Sequence, residues 1–202
     1  MARKPFAFNR IAPIYSLFFN RQVKNYQSVF GSIKEAFDIS AYQNVIDIGC
    51  GTGALCKVLH EYDLQVTGVD PAESMLAIAK IKAGTLEANK PPIEFIHGSV
   101  LTGLPFPDNH FDLAITSYVA HGLAPEERLI LYDEMKRVAR YAAVIYDYND
   151  HRSLITTIVE WLEGGDYFNF IRSNKDELIK QFGNLEVIAI SQHAALYICK
   201  TD

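Results

Sequence analysis

Residues 45–54 read Val-Ile-Asp-Ile-Gly-Cys-Gly-Thr-Gly-Ala, and Asp70 closes the next apolar run, Val66-Thr67-Gly68-Val69. A largely apolar run that meets a glycine-rich turn predicts a buried strand feeding a helix. A second such run ending in an acid about twenty residues later predicts its parallel neighbour. This pairing commits the chain to an α/β fold built on a parallel sheet. It also suits an adenosine-containing ligand: the glycines admit it close to the backbone, and the acid grips ribose hydroxyls.

Two ligand classes compete for such a unit. Gly49, Gly51 and Ala54 satisfy the G-x-G-x-x-[GA] spacing of nicotinamide and flavin proteins. Asp47 stands two positions before Gly49, near the carboxyl end of the predicted strand. A carboxylate there repels a pyrophosphate and holds an ammonium group. It therefore favours S-adenosylmethionine (SAM), which carries an amino group and a sulfonium but no phosphate.

The string Asp47-Ile48-Gly49-Cys50-Gly51-Thr52-Gly53, with the later Val66-Thr67-Gly68-Val69-Asp70, resembles the first two motifs of class I SAM-dependent methyltransferases. Leu104-Pro105-Phe106-Pro107-Asp108-Asn109-His110-Phe111-Asp112-Leu113 resembles the segment before strand four in the type 11 and ubiquinone/menaquinone-methyltransferase-like families. The likeness covers roughly residues 40–148. It implies a Rossmann-like, mostly parallel seven-stranded sheet with a C-terminal antiparallel hairpin and helices on both faces, with SAM as cofactor.

The chain has 202 residues, 49% hydrophobic and 21% charged, which fits one globular domain. The expected divisions are an N-terminal helical cap over 1–40, a SAM-binding core over 41–148, a substrate-side helical insertion over 149–183 and a hairpin over 184–202. No apolar stretch reaches membrane-spanning length, and a cytoplasmic location is expected. Cys50, Cys56 and Cys199 have no metal spacing, so packing is their expected role and no metal is predicted. The net charge of −5 argues against nucleic acid as partner. Yet Arg3, Lys4, Arg10, Arg21, Lys24 and Lys34 are accompanied by no acid in residues 1–34. That face is a solvated helix surface or a contact for an anionic substrate, the cofactor carboxylate or a peripheral membrane surface.

Apolar residues recur helically at Val23, Tyr26, Val29/Phe30, Ile33 and Ala36/Phe37. The preceding Phe6–Asn20, aromatic and accompanied by Pro5 and Pro13, is expected to be irregular or briefly helical. Strands are predicted over 45–48, 65–69, 93–97, 111–116 and 142–146, and helices from Thr52 or Gly53 to Glu61, from Pro71 to Ala83 and from Pro125 to about Ala139. Further helices are expected over 151–163 and 174–182, before alternating runs over 185–191 and 194–199.

The resemblance carries roles onto individual residues. Asp47 is expected to hold the methionine amino group, and Gly49, Cys50, Gly51 and Gly53 to wall the methionyl moiety. Asp70 is expected to accept from both ribose hydroxyls, or to cap the helix that Pro71 opens. Met75 is an adenine contact or a core residue. Relatives carry an acid after strand three; Ser99 stands in its place here, with Val100 beside it. Ser117, Tyr118 and His121 follow strand four, where the family bears a histidine pair, and Gly122 replaces the second histidine. His121 is the general-base candidate, with Tyr118 beside it, or a structural residue of the loop. Asp147, Tyr148, Asp150 and His151 are substrate contacts or a solvated, capping cluster. Trp161, Tyr167, Phe168 and Phe170 are core or pocket wall. Phe8-Asn9-Arg10-Ile11-Ala12-Pro13-Ile14-Tyr15 resembles the opening of the quinone-methyltransferase-like relatives, and places Tyr15 as a contact for the cofactor carboxylate. The expected activity is methyl transfer to a small or medium-sized molecule. A nicotinamide-dependent oxidoreductase, a non-catalytic SAM-binding module and an RNA methyltransferase stand as alternatives.

Overall fold

The computed structural model describes residues 5–84, 90–150 and 167–201, with side chains from residue 17 onward. Its strands are β1 (Asn44–Ile48), β2 (Gln65–Asp70), β3 (Glu94–His97), β4 (Phe111–Ser117), β5 (Ala139–Tyr148), β6 (Glu186–Ser191) and β7 (Ala194–Lys200). The described helices are α1 (Pro5–Ser32), α2 (Ala54–Glu61), α3 (Glu73–Ala83), α4 (Pro125–Val138) and α5 (Tyr167–Phe182). The strand order is β3-β2-β1-β4-β5-β7-β6. This is the seven-stranded, mostly parallel sheet with an antiparallel end that the motifs imply. Two compact units divide the chain, Lys4–Ser99 and the stretch Val100–Asp202. The expected core over 41–148 contributes to both.

In the first unit β1, β2 and β3 pair in parallel, with Asp47 opposite Gly68 and Asp70 opposite His97. Val45, Ile46, Asp47 and Ile48 are all buried in succession. Consecutive burial means that both faces of the strand are covered, as in parallel sheets flanked by helices. Helix α1 packs on α2 and α3, burying Phe19, Val23, Tyr26, Val29 and Phe30. In the second unit β4 and β5 are parallel, and β7 lies antiparallel between β5 and β6. Helix α4 packs on α5. It starts as its sequence predicts, with Pro125 at the first position and the Glu127 carboxylate accepting from the Ala124 N–H at 3.0 Å. Lys136 and Arg137 lie in its last turn, where the macrodipole favours cations.

Several boundaries depart from expectation. Helix α1 runs unbroken from Pro5 through Pro13 to Ser32. Proline removes one helical N–H bond, but the apolar spacing of Ile11, Tyr15 and Phe19 carries on across it. Residues 33–36 form a turn and Ala36 is exposed, although Ile33 and Phe37 are buried as expected. Pro71 lies outside α3, which begins at Glu73. Strand β5 starts three residues early, directly after α4. The exposed Arg140 and Tyr141 disguise that start, and the register shift between Phe111 and Leu113 absorbs the extra residue. Helix α5 begins at Tyr167 and takes in Phe168 and Phe170. The helix expected over 151–163, with His151 and Trp161, lies outside the described residues. So does the side chain of Tyr15, whose backbone belongs to α1.

Candidate active site

Parallel pairing brings the carboxyl ends of β1, β2 and β3 side by side, and the predicted cofactor residues of the first unit gather there. Gly49, Gly51 and Gly53 all adopt positive φ. At Gly53 a Cβ would also stand 3.1 Å from Ala79 Cβ and from the Phe95 ring. Glycine is therefore needed at this position for both conformation and space, and it lets the start of α2 lie against α3 and β3.

The loop satisfies its own amides. Gly49 and Cys50 donate to the Val69 carbonyl at 2.7 and 3.0 Å, and Gly53 donates to the Cys50 carbonyl at 2.9 Å. Gly51 N–H donates to Oδ2 of Asp70 at 2.8 Å. A phosphate-binding turn presents such amides to its ligand. This one directs four of them inward, which disfavours a dinucleotide.

Asp47 is 1% exposed. Its Oδ2 accepts from the Cys56 thiol at 3.2 Å, and its Oδ1 is buried with no hydrogen-bond partner among the described residues. Burial pushes its pKa up to about 7, against the lowering bond from Cys56 and with a smaller upward push from Asp70. A buried carboxyl with one unmet acceptor fits a cationic donor. The ammonium of SAM is such a group, and a pyrophosphate is the opposite. The donor set thus fits SAM.

Asp70 makes the capping bond considered for it and a second one to the glycine loop. Its Oδ1 accepts from the Ala72 N–H at 2.8 Å at the start of α3, while Oδ2 steadies the glycine loop. Burial raises its pKa, and these two amides oppose the rise. The Pro71 carbonyl meets Nε2 of His97 at 3.0 Å, and Gly98 N–H donates to the Asp70 carbonyl at 3.2 Å. Ser99 follows at once. Met75 is 3% exposed and packs with Ala72 and Ile78. Sequence reasoning passed over Gly68. A Cβ there would stand 2.9 Å from the sulfurs of both Cys50 and Cys56. Its position opposite Asp47 in the next strand was the available signal.

In the second unit a separate cluster forms at the carboxyl ends of β4 and β5. Ser117 ends β4 and is half-buried; Val100, in a short turn of its own, is buried. Tyr118 takes φ +54°, unusual for a residue with a large side chain. Its N–H donates to the Tyr146 carbonyl at 2.9 Å, and its ring lies 5.1 Å from Tyr146 and 5.3 Å from Tyr148. His121 is buried. Its Nδ1 lies 2.7 Å from Oδ1 of Asp147, and its backbone N–H donates to Oδ2 at 3.2 Å. Asp147 is fully buried, not solvated, so the solvent-exposed reading of that residue is corrected. Asp150 is exposed and pairs with Lys175 at 3.0 Å.

Arg128 was also missed. It is fully buried, donating through Nε and Nη2 to the two oxygens of Glu177, both at 2.8 Å, and through Nη1 to the Leu123 carbonyl at 2.8 Å. This fork ties α4 to α5 and to the turn that carries His121. Burial pushes Glu177 up, but the bonds from Arg128 and Ser173 outweigh it and leave its pKa lowered. Nothing local distinguishes Arg128 from the solvated charges around it in sequence.

Comparison with known proteins agrees with this geometry. The methyltransferase domain family matches residues 45–141. An uncharacterized methyltransferase of Staphylococcus carnosus is 26% identical over 94% of this chain and 95% of its own length. Ajmaline N-methyltransferase of Rauvolfia serpentina is 33% identical over 51% of this chain, which spans only 34% of that protein. The magnesium protoporphyrin IX methyltransferase of Synechocystis PCC 6803, solved with bound SAH, superposes with a TM-score of 0.63 at 18% identity, covering 88% of this chain and 82% of that one. Loop, buried acid, strand order and these likenesses agree: residues 45–141 form a methyltransferase domain, on the fold shared with solved methyltransferases.

Proposed function

We propose that this enzyme methylates a small or medium-sized molecule, and that Asp47, Gly49, Cys50, Gly51, Gly53, Asp70 and Ser99 hold SAM in the first unit. Asp47 carries the reading. Its partnerless buried oxygen is matched by the methionyl ammonium, and Asp70 takes the ribose hydroxyls while keeping its bonds to Gly51 and Ala72. Pro71 and Met75 complete the proposed cofactor contacts in this unit. Buried free thiols at Cys50, Cys56 and Cys199 fit a reducing, cytoplasmic setting. No described helix is long and apolar enough to cross a membrane.

Calorimetric titration with SAM, SAH, 5′-methylthioadenosine and NAD tests the reading. SAM and SAH should bind and NAD should not. Methylthioadenosine lacks the amino-acid end and should bind more weakly than SAH in the wild type. In Asp47→Asn that difference should largely vanish. Equal discrimination in the two proteins would remove Asp47 from the cofactor's ammonium.

A further inference from the structure

We propose that the outward face of α1, joined by the last turn of α3, docks on a membrane surface that carries anionic headgroups. The surface lies wholly within the first unit, and the inference holds for any methyl acceptor.

Helix α1 buries Phe19, Val23, Tyr26, Val29 and Phe30 on one side. Leu17, Arg21 and Lys24 follow one another at helical spacing on the opposite side, and all three are exposed. The same spacing carries the stripe back to Arg10. Leu17 is 82% exposed and Phe18 50%. The Lys82 ammonium lies 5.2 Å from the centre of the Phe19 ring, so the last turn of α3 sits beside this part of α1. That turn also carries the exposed Lys80, and next to it Ile81, which is 71% exposed. Leu17 and Ile81 are the two most exposed large apolar side chains among the described residues. A single contact between the two helices brings them to the same end of the unit.

Exposed apolar residues scattered singly are ordinary, but a group of them rimmed by polar residues marks an interaction surface. A solvated helix face mixes acids with its bases. Helix α1 carries Arg10, Arg21 and Lys24 and no acid, although the whole chain has a net charge of −5. Glu61, which α2 brings against Gln27 of α1, is already paired with Lys57. Charge complementarity therefore selects an anionic partner. The apolar tips select one with an apolar layer beneath its charges. A soluble polyanion has only the first property, and a bilayer with anionic headgroups has both. Leu17, Phe18 and Ile81 then enter the boundary between headgroups and acyl chains, while the long basic side chains reach the phosphates. The protein rests on such a surface and does not cross it, since no described helix is long and apolar enough to span a membrane.

Co-sedimentation of the whole protein with vesicles tests the proposal. One set is phosphatidylcholine alone, the other phosphatidylcholine mixed with phosphatidylglycerol. The protein should bind the mixed vesicles, leave the neutral ones, and come off in high salt, which screens surface charge. Each Lys or Arg near an anionic surface strengthens binding about fivefold. The double variant Arg21→Gln with Lys24→Gln should therefore bind about 25-fold more weakly. Leu17→Ser should cost about tenfold to a hundredfold, because it withdraws a leucine from the acyl boundary. All three positions are exposed, so melting temperatures should stay near that of the wild type. Ile179→Ser with Lys180→Gln, an exposed pair on α5 in the second unit, is the matched control and should bind like wild type. Absence of vesicle binding by the wild type would overturn the proposal, and retention on heparin or an acidic peptide in its place would assign the face to a soluble polyanion. Undiminished binding by Leu17→Ser would overturn it in favour of adsorption by charge alone. Equal losses in the α5 control and the α1 variants would remove the surface from α1.

Discussion

Cys56 donates its thiol proton to Oδ2 of Asp47 across 3.2 Å, and Oδ1 of the same carboxyl is left buried without a partner among the described residues. The fold thus half-satisfies one carboxyl and leaves its other oxygen able to accept a further bond. An unpaired buried charge is costly, so this site should trade stability for binding.

Asp47→Asn should expose that trade. Asp47 titrates near 3.8 in an ordinary setting and near 7 in the fold. Between those values the folded protein holds a proton that the unfolded chain has released, so this group makes stability fall as pH rises from about 4 to about 7. The full difference is about 4 kcal/mol. Without cofactor, the asparagine variant should melt above wild type at pH 8, and the gap should close toward pH 4. Thermal melts across pH check this, and a variant that melts lower at pH 8 would refute it. Loss of the charge-assisted bond should weaken SAM by about tenfold to a hundredfold.

Binding should carry the opposite sign. The ammonium needs the ionised form of Asp47. SAM affinity should therefore be flat above pH 7 and fall roughly tenfold per unit below it, as protonation competes. Titration calorimetry from pH 5.5 to 8.5 measures the slope. A flat profile would mean that Asp47 stays ionised before the ligand arrives.

Asp70→Ala should weaken SAM by about tenfold to a hundredfold, the equivalent of about 1.5–3 kcal/mol of charge-assisted bonding. It should also lower the melting temperature, because the Gly51 and Ala72 amides lose their acceptor. Wild-type affinity in a folded variant would confine Asp70 to its role at the loop and helix start.

Gly68→Ala tests the wall behind the glycine loop. Its new methyl would meet the sulfurs of Cys50 and Cys56 at 2.9 Å and the Phe95 ring at 3.0 Å. Overpacking of this kind costs about 1–3 kcal/mol. Denaturant melts should show the loss, and Cys56→Ala in the same chain should recover part of it. No recovery would mean that the strain lies elsewhere.

Arg128→Met should destabilise by about 3–5 kcal/mol, because it leaves the Glu177 carboxylate unpaired in a partly buried position. The double variant Arg128→Met with Glu177→Leu should be much milder. A double-mutant cycle in urea measures the coupling, and additive losses would show that the fork contributes little.

Local chemistry made the cofactor half of this protein legible in advance. Strand β1, the glycine turn, α2, β2 and Asp70 follow from apolar runs, backbone freedom and one acid, all within residues 44–70 of continuous chain. The ends of α4 were equally readable from Pro125, Glu127, Lys136 and Arg137, because caps and dipoles act over a single turn. Tertiary structure alone decided what pairs across distance. His121 and Asp147 are 26 residues apart, and Arg128 and Glu177 are 49 apart. Each is an ordinary polar residue until strand pairing and helix packing bury it against its partner. The same holds for Gly68, which reads as a weak point in a strand until β1 and α2 bring two sulfurs against it. Burial is a property of the assembled fold, and burial leaves one common aspartate with an unmet acceptor and orients a common histidine.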